Sequence, residues 1–315
     1  MNSGKDFEKF SNKELSDLLP PLEQERRKVS ARGIFGYVFL FLGALFFMVF
    51  NSNHSGGAGF IFITCLVAGI ILLLTYSNKK KKYVAGFKEI IIRRIIRFID
   101  PTFQYSPGCC VSEDDYTGSG LYLERSDRYT GDDLIEGKRD KTLFCFSDLH
   151  TERKVSSGKS SHWETIFKGL FFIGDFNKNF QNRTYVYSEQ HPQINFFTKL
   201  FSSFTSGLEK VKLESTEFEK RFIVYSGDQV EARYILTPSL MERMVKLEET
   251  MGRGISFSFV KTKIYVAVPL RENLFEPSVF SQNSYGNFEG YYNTVQIVFD
   301  IIDELKLNER LWNKE

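Results

Sequence analysis

The chain has 315 residues, room for one medium domain plus an accessory region. Its 41 Lys and Arg nearly balance 39 Asp and Glu, and a net charge of +2 excludes a globally basic nucleic-acid binder. The four cysteines, Cys65, Cys109, Cys110 and Cys145, include no CxxC, which excludes a zinc ribbon; adjacent Cys109 and Cys110 are poorly placed for a mutual disulfide, so the set fits a reducing compartment.

Residues 1–32 read as a cytoplasmic N-terminal helical segment. Ser11-Asn12-Lys13-Glu14 is a capping-box pattern ahead of Leu15, Leu18 and Leu19, and Pro20-Pro21 is expected to end that helix. A second short helix is predicted from Leu22 onward.

Residues 33–76 read as a transmembrane helical hairpin, with spans 33–50 and 56–76. The first run has no charge in 18 residues and the second none in 21, where a spanning helix needs about 20 apolar residues. A signal peptide is excluded by the polar segment ahead of the first run and the lack of a small-residue cleavage site after it. Gly36, Gly43, Ala44, Gly57, Ala58, Gly59, Ala68 and Gly69 would let two helices approach closely. The linker 51–55 carries no Lys or Arg, whereas both outer flanks are basic. The positive-inside rule then predicts a multi-pass protein of the cell's inner (plasma) membrane with both termini cytoplasmic. The sequon Asn53-His54-Ser55 lies too close to the predicted bilayer to serve as a glycosylation site.

Residues 77–100 read as a basic amphipathic juxtamembrane helix. Phe87, Ile91, Ile95 and Phe98 fall at helical spacing, and Pro101 stops the helix. Continuous with the second span, it would reach roughly 65 Å at 1.5 Å per residue. A basic collar comprises Arg26, Arg27, Lys28, Arg32, Lys79, Lys80, Lys81, Lys82, Lys88, Arg93, Arg94 and Arg97, with Glu25 and Glu89 as nearby acids. Each such cation near an anionic lipid surface contributes about 1 kcal/mol. The apolar face of 83–99 needs a cover: an anionic bilayer surface, a second copy in a homo-oligomer, or the cytoplasmic domain. Its isoleucine content favours protein over lipid.

Residues 101–315 read as a cytoplasmic α+β domain. A hairpin is predicted from 134–137 and 142–152 around 138–140, then a doubly apolar strand at 163–176 and a strand at 184–188. Residues 155–161 read as a hairpin loop. A strand at 218–225 precedes a helix capped by Asp228 and Glu231. Thr237-Pro238 opens a further helix, which Gly252 and Gly254 end. Strands 255–260 and 263–269 flank Lys261-Thr262, and an amphipathic helix spans 288–305. Interleaving without a βαβ repeat predicts an antiparallel sheet. The fold class is therefore membrane-anchored α+β: a two-helix transmembrane hairpin followed by a cytoplasmic domain of antiparallel sheet and helices.

Phosphate-binding glycine loops, HExxH and GxSxG are absent. Asp148, His150 and Glu152 alternate and so share one strand face, where His162 would complete a divalent-metal site. A solvated strand end explains them more plainly. Asp132 with Asp133, and Asp148 with Asp175, are the candidate carboxylate pairs, and turn or cap roles account for them more simply. Arg233 is a candidate partner for a buried carboxylate. No catalytic residue or cofactor is assigned.

A set of stretches stands out together: Tyr129-Thr130-Gly131-Asp132-Asp133 with Glu136-Gly137, Phe146-Ser147-Asp148-Leu149, Phe167 to Phe172, Asp175 to Lys178, Phe218 to Phe222 and Val224 to Tyr234 with Leu236-Thr237-Pro238. On these residues the cytoplasmic part resembles the uncharacterised bacterial membrane-protein family labelled domain of unknown function 3137. The likeness covers roughly residues 80–310, implies a membrane-anchored cytosolic module and supplies no catalytic residues. The functional expectation is a membrane-tethered cytoplasmic scaffold or signalling module that binds a protein or lipid partner. The alternative is a membrane-associated enzyme using the Asp148/His150/Glu152 face.

Overall fold

The computed structural model describes residues 4–53, 56–158, 160–176, 179–189, 191, 207–251, 254–282 and 285–305. His54 and Ser55 of the sequon, Asn177, Lys178 and Gly252 lie outside the described residues. The chain divides into a helical unit, Met1–Ile99 with Phe275–Tyr291, and a sheet unit, Asp100–Leu274 with Tyr292–Glu315.

Two helices dominate the helical unit: Leu19–Asn53 and Gly56–Phe87, the second continuing through a π turn, Lys88–Ile92, into Arg93–Ile99. Both are long and apolar enough to cross a membrane. Pro20-Pro21 begins the first helix and does not end the preceding one. In a first turn the missing prolyl N–H groups have no intrahelical partner to lose. The helical path upstream adapts to them with a π turn at Ser11–Leu15 and a 3-10 turn at Ser16–Leu18, whose Ser16 carbonyl accepts from the Leu19 N–H.

The two helices meet over their small residues. A Cβ added at Gly69 would stand 2.8 Å from Leu40 Cδ2 and 3.2 Å from the Gly36 carbonyl oxygen, and one at Gly36 would stand 2.8 Å from Leu73. A larger residue would push the Leu40 or Leu73 side chain aside and, at position 69, press on the facing backbone, so the glycines favour this close approach. Farther along, the Phe47 and Phe62 rings pack tilted across the pair with centroids 5.1 Å apart. The opposite surfaces remain apolar and open: Phe41 is 66% exposed and Phe60 73%.

Segment 275–291 returns to the helical unit, although the sequence reading places it with the C-terminal domain. Phe288 and Tyr291 contact the Phe87 ring, at 6.4 and 6.0 Å between centroids, and Phe275 lies against Tyr291. At the other end Phe7 and Phe10 pack on Phe98. Ile91, Ile92, Ile95 and Ile96 are all buried. The apolar face of helix 83–99 is thus covered by the chain itself.

The described strands of the sheet unit form one antiparallel sheet in the order β1-β2-β3-β4-β9-β8-β5-β7-β6. They are β1 (Gln104–Ser106), β2 (Arg128–Arg139), β3 (Thr142–Ser157), β4 (Ser160–Asp175), β5 (Thr184–Ser188), β6 (Glu209–Val211), β7 (Phe222–Ser226), β8 (Ser256–Val260) and β9 (Lys263–Pro269). One face carries Leu149, Phe167, Phe171, Tyr185, Tyr187 and Tyr265, packed with Val111, Tyr116, Leu121 and Tyr122 of the segment before β2. The other carries Phe146, Phe172, Phe257 and Val266, all fully buried. Burying each such aromatic side chain is worth roughly 1.5–3 kcal/mol.

Three expectations change. Phe218 lies in a short helix, Thr216–Glu219, and not in a strand: Ser215 caps the helix by accepting from the Phe218 N–H. The cap turns the chain so that the Phe218 ring packs, tilted, against Phe222 at 4.9 Å between centroids. Asp132-Asp133 is not a turn but a bulge inside β2, where the pairing with β3 jumps from Asp132 to Ile135. Asp133 there has φ 62°, an allowed left-handed conformation for Asp, and accepts a 2.6 Å hydrogen bond from the Tyr105 hydroxyl. Finally, β3 and β4 run far into the predicted 155–161 loop, pairing out to Ser157 and Ser160.

Candidate functional site

Of the four candidate metal ligands only His150 and Glu152 come together, His150 Nε2 lying 3.9 Å from Glu152 Oε1. Asp148 is buried and accepts from the Leu274 N–H at 3.1 Å. Glu152 is committed to Arg128, 2.8 Å away, and His150 Nε2 lies 3.2 Å from the Thr165 hydroxyl. His150 stands opposite Lys168, whereas His162 stands opposite Val155. Along β4, His162 thus lies six residues, about 20 Å at strand rise, from the position opposite His150, and three residues, about 10 Å, from Thr165, the position opposite Glu152. Among the described residues no group of three or more His, Cys, Asp or Glu is placed to hold a metal ion.

The carboxylate pairs also separate. Asp132 pairs in register with Asp148, while Asp133 turns into the interior. Asp175 lies at the far end of β4 from Leu170, the residue opposite Asp148, about 16 Å along the strand. Asp228 is an N-cap, accepting from Val230 and Glu231 at 2.7 and 3.1 Å. Glu231 does not cap its own helix as expected: the Asp228 N–H donates to the Ser226 hydroxyl, and the Glu231 carboxylate accepts the backbone N–H groups of Gln181 and Asn182, both at 2.8 Å, tying down the approach to β5. Arg233 is exposed and donates to the Lys212 carbonyl and the Gln229 side-chain oxygen, with no buried carboxylate partner among the described residues.

The collar residues divide into held and presented cations. Arg26 is buried; it pairs with Glu23 at 2.6 Å and donates to the Val279 carbonyl at 2.6 Å. That guanidinium, joined by Arg27, holds the Glu23 carboxyl below its usual range. Lys28 pairs with Glu25, Lys80 with Glu276 at 3.3 Å, and Arg93 with Glu89 at 2.6 Å. Lys88 is buried. Arg94 donates to its own helix at Ile90, and Arg32 to Lys28. Lys79, Lys81, Lys82 and Arg97 are exposed, and among the described residues none of them forms a close ion pair.

Sequence reasoning missed one feature of the sheet unit. A groove of about 700 Å³ opens at the ends of β3, β4 and β9, between Gln104, Lys138, Cys145, Ile173, Asp175 and Lys263. Lys263 is held charged by its hydrogen bond to Asp115, 2.9 Å away, which raises its pKa. Burial pushes the Cys145 thiol up to about 11, so it is a protonated, apolar wall and not a nucleophile. The lining comes from five separate stretches, and no contiguous motif announces it.

Residues 165–307 match the family described as Protein of unknown function (DUF3137), and the chain resembles that family there. The matched range takes in the 167–178 and 218–238 stretches; the 129–149 stretches lie before it. No curated protein matches the sequence. Among solved structures, the mycobacterial trehalose monomycolate transport factor A, TtfA, aligns over 67% of this chain and 91% of its own, at 11% identity and a TM-score of 0.31. Likeness at that level assigns no role to this chain.

Proposed function

We propose that this chain is a membrane-tethered cytoplasmic scaffold or signalling module. The hairpin spans the plasma membrane with both termini inside, and the sheet unit offers a protein or lipid partner its binding surface. The observation that carries this reading is the open apolar surface of the two helices. Phe35, Phe41, Met48, Phe60 and Leu74 are each more than half exposed, on runs of 18 and 21 residues without a charge. In water that surface would be a severe aggregation liability; in hydrocarbon it costs nothing. At about 1.5 Å per residue the runs are about 27 and 32 Å long, against a hydrocarbon core of about 30 Å. The exposed cations Lys79, Lys81 and Lys82 then stand at the cytoplasmic headgroups, where anionic lipids attract them. The sheet-unit groove is the place for a partner or small ligand, since concave surfaces with a few charged groups are the usual binding sites.

Topology tests the reading. Reporter fusions at Asn53 and at Glu315 are expected to give opposite signals, outside for the first and cytoplasmic for the second. Matching signals would overturn it.

A further inference from the structure

The loop 275–282, distant in sequence from the hairpin, is fixed to the ends of the apolar runs, and we propose that its apex is a third membrane contact, with Phe280 inserted at the cytoplasmic headgroup level. The inference rests on the membrane reading given above and adds an element to it.

Three contacts fix the loop's height. Arg26 donates to the Val279 carbonyl at 2.6 Å, and Arg26 lies seven residues before the first apolar run. Glu276 pairs with Lys80, four residues beyond the second run. The Phe280 ring lies 6.2 Å from the ring of Tyr76, the last residue of that run. Tyrosine at such a position belongs to the aromatic belt at the boundary between hydrocarbon and headgroups. A ring packed beside it shares its depth.

The loop's other apolar side chains turn inward. Phe275 and Val279 are 2% and 5% exposed, and the loop is braced by the Tyr291 hydroxyl donating to the Glu276 carbonyl at 3.1 Å. Phe280 alone of these points out, at 57% exposure, followed by exposed Ser281 and Gln282. An outward Phe on a braced loop, level with Tyr76, with Lys79, Lys81 and Lys82 three to six residues farther along the same helix, meets the requirements of an interfacial anchor: an apolar side chain for the acyl boundary and cations for the phosphates. The consequence is mechanical. A segment almost 200 residues after the hairpin would be held against the bilayer, so the sheet unit's chain is tethered to the membrane through both ends of its main stretch, at 99–100 and at 274–275.

The test places a single tryptophan at Phe280 in the full chain, with Trp163 and Trp312 replaced by Phe, reconstituted in vesicles. A second protein carries its only tryptophan at Phe41, midway along the first run. Vesicles contain lipid brominated either near the carbonyl end or near the methyl end of the acyl chain. Phe280→Trp is expected to emit to the blue of free tryptophan and to be quenched more by shallow than by deep bromines, by roughly twofold for an interfacial residue. Phe41→Trp should show the reverse order. If Phe41→Trp behaves so while Phe280→Trp is quenched only by aqueous iodide, the loop stands clear of the bilayer and this inference is wrong with the membrane reading intact. If neither tryptophan meets bromine, the membrane reading falls and takes this one with it.

Discussion

His191 shows how much one side chain's surroundings set the behaviour of the sheet unit. It is 2% exposed, and its ring lies 5.4 Å from those of both Tyr122 and Tyr187. Burial lowers its pKa from 6.5 to about 4. In the unfolded chain it takes up a proton below pH 6.5, while the folded chain holds it neutral until about pH 4. The unfolded state therefore binds more protons in that window, and stability falls as the pH is lowered through it. By pH 5 the loss approaches about 2 kcal/mol, from the roughly 1.4 kcal/mol carried by each pH unit. Denaturant unfolding of the full chain in detergent at pH 7 and pH 5 should show that loss, and His191→Phe should remove most of it; an unchanged slope in the variant would assign the acid lability elsewhere. Residue roles of this kind were legible in the sequence only where they are local. Asp228 as an N-cap is readable because the N–H groups it accepts are two and three residues away. Asp133 is not, because its reason for being there, the Tyr105 hydroxyl, lies 28 residues upstream.

At the scale of elements, the helix pair is held by where its glycines fall. A Cβ at Gly69 would displace the Leu40 side chain and press on the Gly36 carbonyl at 3.2 Å, whereas a Cβ at Gly43 would meet Cys65 and Leu66 at 3.5 and 3.7 Å, ordinary contact. Gly69→Val should therefore weaken helix pairing by about 1–3 kcal/mol, as overpacking does in a tight interface. Gly43→Ala should be close to neutral. Reversible unfolding in mixed micelles, followed by energy transfer between labels at the two outer helix ends, measures both. Equal effects at the two positions would mean that the glycines are not what brings the helices together. The apolar runs themselves are the most legible elements, because 18 or more uncharged residues leave little else to be. The boundaries are less so. Pro20-Pro21 reads as a stop when only the upstream leucines are considered, yet the same two residues suit the first turn of the helix that follows. The stretch from Phe218 reads as a strand by its apolar residues, and one serine cap at Ser215 outweighs them. The groove was not legible at all, since its walls come from β1, β2, β3, β4 and the β8–β9 turn and meet only when the sheet is formed.

For the molecule as a whole, the point that local pattern does not reach is the return of segment 275–291 to the helices. Nothing in its sequence distinguishes an amphipathic start of the last helix that covers a sheet from one that covers another helix. The helix Tyr285–Glu304 begins in the helical unit, where Phe288 and Tyr291 meet Phe87, and continues into the sheet unit, where Phe299 packs on Phe103 and Asp303 pairs with Arg139 at 2.6 Å. Removing residues 1–99 strips the partners from its first turns and from Phe275 and Val279 but leaves the sheet's own pairing complete. A fragment of residues 100–315 should therefore melt cooperatively, since β3, β4, β9, β8 and β5 keep their neighbours and both sheet faces keep their aromatic cores. Hydrogen exchange on that fragment should find β3 and β4 as protected as in the full chain. The amides of 285–291 should exchange far faster, by a hundredfold or more if about 3 kcal/mol of local opening energy is lost with Phe87 and its neighbours. Protection unchanged across 285–291 would mean that the segment draws its stability from the sheet unit alone. A fragment without any cooperative transition would mean that the sheet cannot hold its core without the helices.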